Sequence, residues 1–452
     1  MTKRLSYGGH ARALLGLGLP LVGSNIAQGS IHITDTMMMG WYDAQALAAV
    51  VVASSLFMSV FIVGSGFAWA VTPLVAEAAS QGDITRLRRI TRMGLWATLG
   101  FCLLILPLLL LGERLFLALG QEPAIAALAG QYLSITGWAI IPALSTMLLR
   151  SYLAGMERTQ IVFWMTIAAS VVNAVLNWAL IFGHWGMPEL GARGAAISSL
   201  IMHCASLAIL AAYAQRSFPE HQLFHRIWRP DWHELREVFR LGWPIGVASL
   251  AETALFSGSA IMIGWIGAVE LAGHGIALQV ATMTFVIHLG LSQAATVRVG
   301  QAMGRRDPVA LRDGALVAIG LSLGVAAMGM AVMIGMPKLL VGLFIGAEDP
   351  ARAQIIAVGS GLLILGAIFQ ATDAMQVMAI SLLRGLQDTR IPMILATISY
   401  WVIGAPVAYI LGFWVGFGAY GVWSGLVLGL AVAAATLLWR LWRRKIPQLS
   451  WT

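Results

Sequence analysis

Residues 20 to 40 read Pro-Leu-Val-Gly-Ser-Asn-Ile-Ala-Gln-Gly-Ser-Ile-His-Ile-Thr-Asp-Thr-Met-Met-Met-Gly. They continue an apolar run that begins near Ala13, long enough for the roughly 20-residue helix that a bilayer requires. Within it Asn25, Gln28, His32 and Asp35 recur every three or four residues, which places them on one helical face. A carboxylate at the centre of a spanning helix costs about 2.5 to 3.5 kcal/mol on insertion scales, so it faces a polar cavity or a partner rather than lipid. Asp35 is the first functional candidate on that ground. The plainer reading is a tolerated polar residue near a helix end, because Gly40 and Trp41 follow closely.

Composition extends this reading to the whole chain. Of 452 residues, 59% are hydrophobic and 11% charged, where soluble domains carry about a quarter charged residues. The fold class expected is an all-α polytopic membrane protein, with the lipid bilayer as its surroundings. Lys3 and Arg4 precede a long apolar segment that lacks a small-residue cleavage site, so it reads as a retained helix and not a signal peptide. Cys102 and Cys204 both fall in apolar runs and read as small core residues, without metal-ligand spacing.

Apolar runs of about 20 residues predict twelve spans, near 13 to 39, 46 to 75, 93 to 112, 124 to 150, 160 to 183, 192 to 214, 241 to 266, 270 to 299, 313 to 336, 354 to 383, 391 to 413 and 418 to 440. Of the 28 Lys and Arg residues, 24 fall on the side that holds the N-terminus, and only Arg114, Arg193, Lys338 and Arg352 on the other. The positive-inside rule then puts both termini in the cytoplasm. The net charge of +8 is thereby explained by topology, with no nucleic acid as partner. The polar stretch 215 to 240 divides the spans into an N-lobe, 1 to 214, and a C-lobe, 241 to 452, with the stretch itself as a cytoplasmic linker. Inside it Asp231 and Glu234 read as a capping box, with a short surface helix expected to follow.

The two halves repeat each other. A shift of 224 lays Leu17-Gly18-Leu19-Pro20 on Leu241-Gly242-Trp243-Pro244, Gly40-Trp41 on Gly264-Trp265, and Asp83 on Asp307. A shift of 227 lays Gly191-Ala192 on Gly418-Ala419, and one of 230 lays Leu153-Ala154-Gly155 on Leu383-Arg384-Gly385. Matches that keep their order at nearly one offset indicate duplication. An even number of spans per half makes it a parallel repeat, two six-helix lobes related by pseudo-twofold symmetry, as in transporters that bind between lobes.

Three acids lie well inside spans: Asp35, Glu252 and Asp373. Glu252 falls on Gln28 under the repeat and is backed by Ser249, while Gln370 and Gln376 flank Asp373. Two carboxylates at similar depth in one lobe can share a proton or, with nearby oxygens, hold Na⁺, so Glu252 and Asp373 are the candidate ion site. The alternative is that each acid is a satisfied structural group. No His or Cys spacing suggests a transition-metal site, and no nucleophile and base cluster suggests an enzyme. Gly412 to Gly416 and Gly425 to Gly429 have the spacing of close helix packing. Methionines near the acids, Met37 to Met39, Met262, Met375 and Met378, suit amphiphilic organic cations of varied shape, or simply pack.

Taken together, two six-helix halves, Asp35, Pro-Glu-Leu-Gly at 188 to 191 after a helix with Asn173 and Asn177, Glu252, and Asp373 followed by Leu-Arg-Gly-Leu-Gln-Asp-Thr at 383 to 389 resemble the multidrug and toxic compound extrusion (MATE) family of NorM type. The resemblance implies an antiporter of the bacterial inner membrane that exports cationic drugs and dyes against Na⁺ or H⁺, acting as a monomer and without a further cofactor. It implies that Asp35 with Asn173 and Asn177 forms an N-lobe polar network, and Gln28 and His32, which their spacing puts on the Asp35 face, are expected with it. It implies a C-lobe cation site at Glu252 and Asp373. Members often carry Tyr where this chain has Phe369, and relatives whose network is acidic at the second Asn have Asp where this chain has Asn177, which leaves Asp35 as the only carboxylate of that network. A lipid-linked sugar flippase of related architecture is the alternative, and would need a basic groove for its pyrophosphate.

Overall fold

The computed structural model describes residues 5–346 and 348–448, so Lys3 and Arg4 of the charge count and the end of the C-terminal tail lie outside the described residues. Among the described residues twelve helices are long and apolar enough to cross a membrane: α1 Tyr7–Tyr42, α2 Ala44–Gln81, α3 Ile84–Leu110, α4 Pro123–Gly155, α5 Thr159–Phe182, α6 Ala192–Ser217, α7 Trp232–Ile266, α8 Ala268–Gly304, α9 Pro308–Gly335, α10 Arg352–Gly385, α11 Arg390–Trp414 and α12 Gly418–Gln448. Among the described residues there is no strand. The protein is an all-α polytopic membrane protein with the number of spans that its apolar runs predict.

Several helices begin earlier than hydropathy suggests. Apolar runs measure the part of a helix inside lipid, whereas the backbone continues helical until its last amide donors find acceptors. Asp83 Oδ1 accepts from the Arg86 amide (2.8 Å) and starts α3 at Ile84; Asp307 Oδ1 accepts from the Ala310 amide (2.9 Å) and starts α9 at Pro308. These are the residues that the 224 shift superposes, so the repeat carries its caps with it. Asp231 Oδ1 accepts from the Glu234 amide (3.3 Å), as the capping box predicts. The short surface helix expected there is instead the first part of α7, because no Gly or Pro interrupts residues 232 to 241 and the helix runs on into the span.

By packing, the chain forms two compact units, one of Gly23–Gly246 and one of the residues up to Val22 together with those from Val247 on. The division of these units falls inside α1 and α7, at equivalent positions of the repeat. Glycines make the intervening contacts possible. A Cβ on Gly66 of α2 would overlap the Gly242 carbonyl and the Gly246 amide in the first unit. At the equivalent Gly290 of α8 it would meet the Val22 backbone nitrogen at 2.6 Å in the second. Small residues at such crossings let helix backbones approach.

Gly66→Val is therefore expected to cost about 3 kcal/mol or more, since backbone atoms on α7 cannot move aside as a side chain would. Gly100→Val, with open space around it, is the control. Thermal unfolding in detergent checks this: equal melting temperatures for the two variants would refute the packing argument.

Two sequence expectations need correction. Cys102 is buried but Cys204 is exposed, because the outward face of a spanning helix is apolar as well as its core. Gly425 and Gly429 do pack tightly against α11, but Gly416 has a φ of +85° and nothing near it, so it turns the chain after α11 rather than packing a helix.

In the first unit Arg86 gathers three acids, Glu77 (3.3 Å), Glu237 (3.4 Å) and Glu234 (3.8 Å), and so ties α2, α3 and α7.

Candidate functional site

Within the first unit the α1 stripe meets α5. Asn173 and Asn177 stand four residues apart, hence on one face of α5, and both are fully buried. Asn177 donates through Nδ2 to Asp35 Oδ1 at 2.6 Å and to Asn173 Oδ1 at 3.3 Å. Tyr132 of α4 lies in the field of Asp35, its hydroxyl interacting with Ser54 and Ser199. Asn177 Oδ1 and Asn173 Nδ2 are buried without partners. The network therefore offers a cation one carboxylate and at least one free amide oxygen.

Gln28 and His32 do not belong to that network. Gln28 Oε1 accepts from Arg150 Nη1 (3.0 Å), and Arg150 Nη2 donates to Ser24, which bonds Thr166 (3.0 Å). His32 is exposed and interacts with His203 of α6. The four residues share a helical face as predicted, but over ten residues a straight face passes two different neighbours: α4 near Gln28, α5 near Asp35.

In the second unit Glu252 of α7 and Asp373 of α10 lie in each other's electrostatic field. Glu252 Oε1 and Asp373 Oδ1 are buried without hydrogen-bond partners. A pair of this kind resists carrying two negative charges at once, and one added positive charge would relieve it. Gln376, 1% exposed, donates through Nε2 to the Tyr400 hydroxyl (2.6 Å) and keeps Oε1 free. Carboxylate, amide and phenol oxygens are suitable ligands for a hard cation such as Na⁺. Ser249 lies half-buried one turn before Glu252, its carbonyl accepting from Thr253. Gln370 is buried with both polar atoms unpartnered and packs close to Gly329 of α9.

Phe369, where the resemblance leads one to expect Tyr, is buried between aromatic rings. Its centroid is 5.8 Å from Phe256 and 5.4 Å from Trp423, both edge-on. Tyr400 of α11, fully buried, lies in the electrostatic field of both Glu252 and Asp373. It sits in a π-helical segment, Ser399–Gly404, where the wider turn re-aims side chains relative to an ordinary helix. No periodicity argument in α11 singles out Tyr400, which is why the sequence did not reveal it.

Tyr400→Phe is expected to leave the Gln376 amide donor buried and unpaired, at a cost of about 1 to 3 kcal/mol. If the hydroxyl serves the ion site, the ion concentration for half-maximal transport rises roughly tenfold. An unchanged ion dependence together with a lowered melting temperature would make Tyr400 a packing residue only.

Arg150 and Arg384 are among the 24 basic residues that the charge asymmetry places on the side of the N-terminus. They are half-buried inside α4 and α10, where Arg150 bonds Gln28 and Arg384 faces Glu252. Each half thus pairs a polar group on its first helix with an arginine on its fourth. The pairing was hidden because the two arginines stand 234 residues apart, one helical turn beyond the offset that aligns the glycines after them. A further set, His233, Glu234 and Glu237, has ligand atoms close enough to hold an ion, but both acids already face Arg86.

The MatE family model matches residues 20–179 and 244–410, which include all three acids. A "Probable multidrug resistance protein NorM" of Rhizobium meliloti is 45% identical over 97% of this chain and 94% of its own length. Another of the same description, from Agrobacterium fabrum, is 44% identical over 96% and 93%. Among solved structures, the outward-facing conformation of a multidrug resistance MATE family transporter of the MOP superfamily superposes with a TM-score of 0.86 at 21% identity, covering 98% of this chain and 97% of that one. A eukaryotic MATE transporter gives 0.84 at 19%, covering 98% of each. These structures share the fold, and with the relatives and the family match they make this chain a member of the MatE family.

Proposed function

We propose that this protein is a cation-coupled multidrug efflux antiporter that exports amphiphilic organic cations, with Na⁺ or H⁺ as the coupling ion. The observation that carries the reading is the acid pair, Glu252 and Asp373, with unpartnered buried oxygens inside spanning helices. Asp35 with Asn173 and Asn177 is a second place where a cation gains a buried counter-charge. The names of the relatives support multidrug export, and their bacterial origin, with the charge asymmetry of the loops, supports an inner-membrane protein with cytoplasmic termini.

In this reading an outward-open state takes up the ion at the acids, lobe movement exposes the site inward, and drug binding reverses the cycle. One inward elementary charge yields about 2.3 kcal/mol per 100 mV, roughly a fiftyfold concentration ratio. A single Na⁺ or H⁺ exchanged for a monovalent cation moves no net charge, so a chemical gradient or a second ion must then drive export. Dye accumulation in cells stripped of other pumps tests the reading: expression should lower ethidium content, and an unaltered content for a well-expressed, membrane-inserted chain would sink it.

A further inference from the structure

Between the first turns of α3 and the chain after α6, within the unit Gly23–Gly246, lies a cleft of about 500 Å³. Five arginines line it, Arg88, Arg89, Arg92, Arg226 and Arg229, against one acid, Asp231. Asp231 is engaged by Arg89 at 3.4 Å. The other guanidinium contacts are to neutral carbonyls: Arg88 Nε donates to His221 O (2.6 Å), and Arg92 Nη1 to His225 O and Arg226 O (both 3.0 Å). Those bonds fix the arginines without neutralising them. Arg92 also feels the charges of Arg88, Arg89 and Arg229. It is only 9% exposed, and its Nε has no acceptor. Like charges are held together here at a cost that a bound anion would relieve, and planar guanidinium groups match phosphate oxygens.

The surroundings indicate the source of that anion. Trp228 and Trp232, 72% and 70% exposed, flank the arginines, and Trp96 Nε1 holds the segment by donating to Ile227 O (2.8 Å). Exposed tryptophans beside basic groups at the end of a spanning helix mark headgroup depth. Basic pockets between spans on the cytoplasmic side bind anionic headgroups. We infer that the Arg88, Arg92, Arg226 and Arg229 cleft is a binding site for the phosphate of an anionic phospholipid. The site is separate from the acid clusters and does not depend on the efflux reading.

The test uses the purified full chain, delipidated in detergent, with phosphatidylglycerol binding followed by native mass spectrometry. Arg226 and Arg229 are exposed, so Arg226→Gln with Arg229→Gln removes two charges without breaking the bonds that hold the segment. At about 1 kcal/mol per basic residue near a membrane surface, the first phosphatidylglycerol should bind roughly thirtyfold more weakly to the variant. Phosphatidylcholine should distinguish the proteins little, and inorganic phosphate should compete only weakly. Equal lipid affinity in both proteins would overturn the site. So would an equal loss in Arg236→Gln with Arg240→Gln, exposed basic residues outside the cleft, which would make the effect diffuse surface charge. Saturation by inorganic phosphate with no further gain from the lipid would overturn the lipid assignment.

Discussion

Asp35→Asn should weaken binding of a permanent organic cation such as tetraphenylphosphonium by at least thirtyfold, while leaving the melting temperature of the detergent-solubilised protein unchanged. The substituted amide keeps an oxygen where Asn177 Nδ2 now donates at 2.6 Å, so the α1 to α5 contact survives. What disappears is the charge. Removing one partner of a buried charge pair costs about 2 to 5 kcal/mol, which at tenfold per 1.4 kcal/mol is thirtyfold or more. The cation is permanent, so its own protonation cannot confuse the result. Full affinity in a well-folded Asp35→Asn protein would remove Asp35 from the substrate path.

Neutralising Glu252 and Asp373 should abolish the stimulation of transport by the coupling ion, and the two changes should not add. The carboxylates lie in one field, and the arginine that Glu252 faces, Arg384, acts on that residue. Either single neutralisation, Glu252→Gln or Asp373→Asn, should therefore remove most of the ion dependence, and the double variant little more. Groups in contact commonly show coupling energies of about 0.5 to 3 kcal/mol in a double-mutant cycle. Strict additivity of the two losses would mean two independent sites, contrary to the arrangement of α7 and α10.

The fold was legible because lipid imposes simple rules. Apolar length gave the number of spans, and the internal offsets gave the repeat; the aligned Asp83 and Asp307 cap α3 and α9 in the structure. The chain turns after the fourth helix of each half are likewise shared: Glu157 and Gln387, 230 residues apart, both take positive φ, 60° and 58°. The candidate acids were legible for the same reason, that burying charge in a membrane is costly and therefore rare. What the sequence hid depends on distance in space. Arg150 and Arg384 read as loop charges because long side chains reach inward from helix ends. Tyr400 reaches Gln376, and the field of the acids, from a π-helical turn, which breaks the 3.6-residue period on which any face assignment rests. Gln28 and His32 share a face with Asp35 yet answer to other neighbours, since periodicity assigns a side of a helix but not what stands opposite.

The flippase alternative looked for a basic groove among the acids. Arg384 faces Glu252, and Arg150 is held by Gln28 and Ser24, so the spanning interiors near the acids pair each arginine with polar groups of the protein itself. The cleft of Arg88, Arg92, Arg226 and Arg229 lies at the ends of the helices, where a headgroup would rest rather than cross.

In the proposed cycle an organic cation is exchanged for an inorganic one at buried acids. Ethidium efflux from proteoliposomes, driven in separate experiments by a Na⁺ gradient and by a pH gradient, measures it directly on wild type and Asp35→Asn. Efflux under at least one gradient, lost in the variant, is the result predicted, and the effective gradient names the ion. No gradient-driven efflux from correctly folded wild-type protein, or equal efflux from the variant, would contradict it.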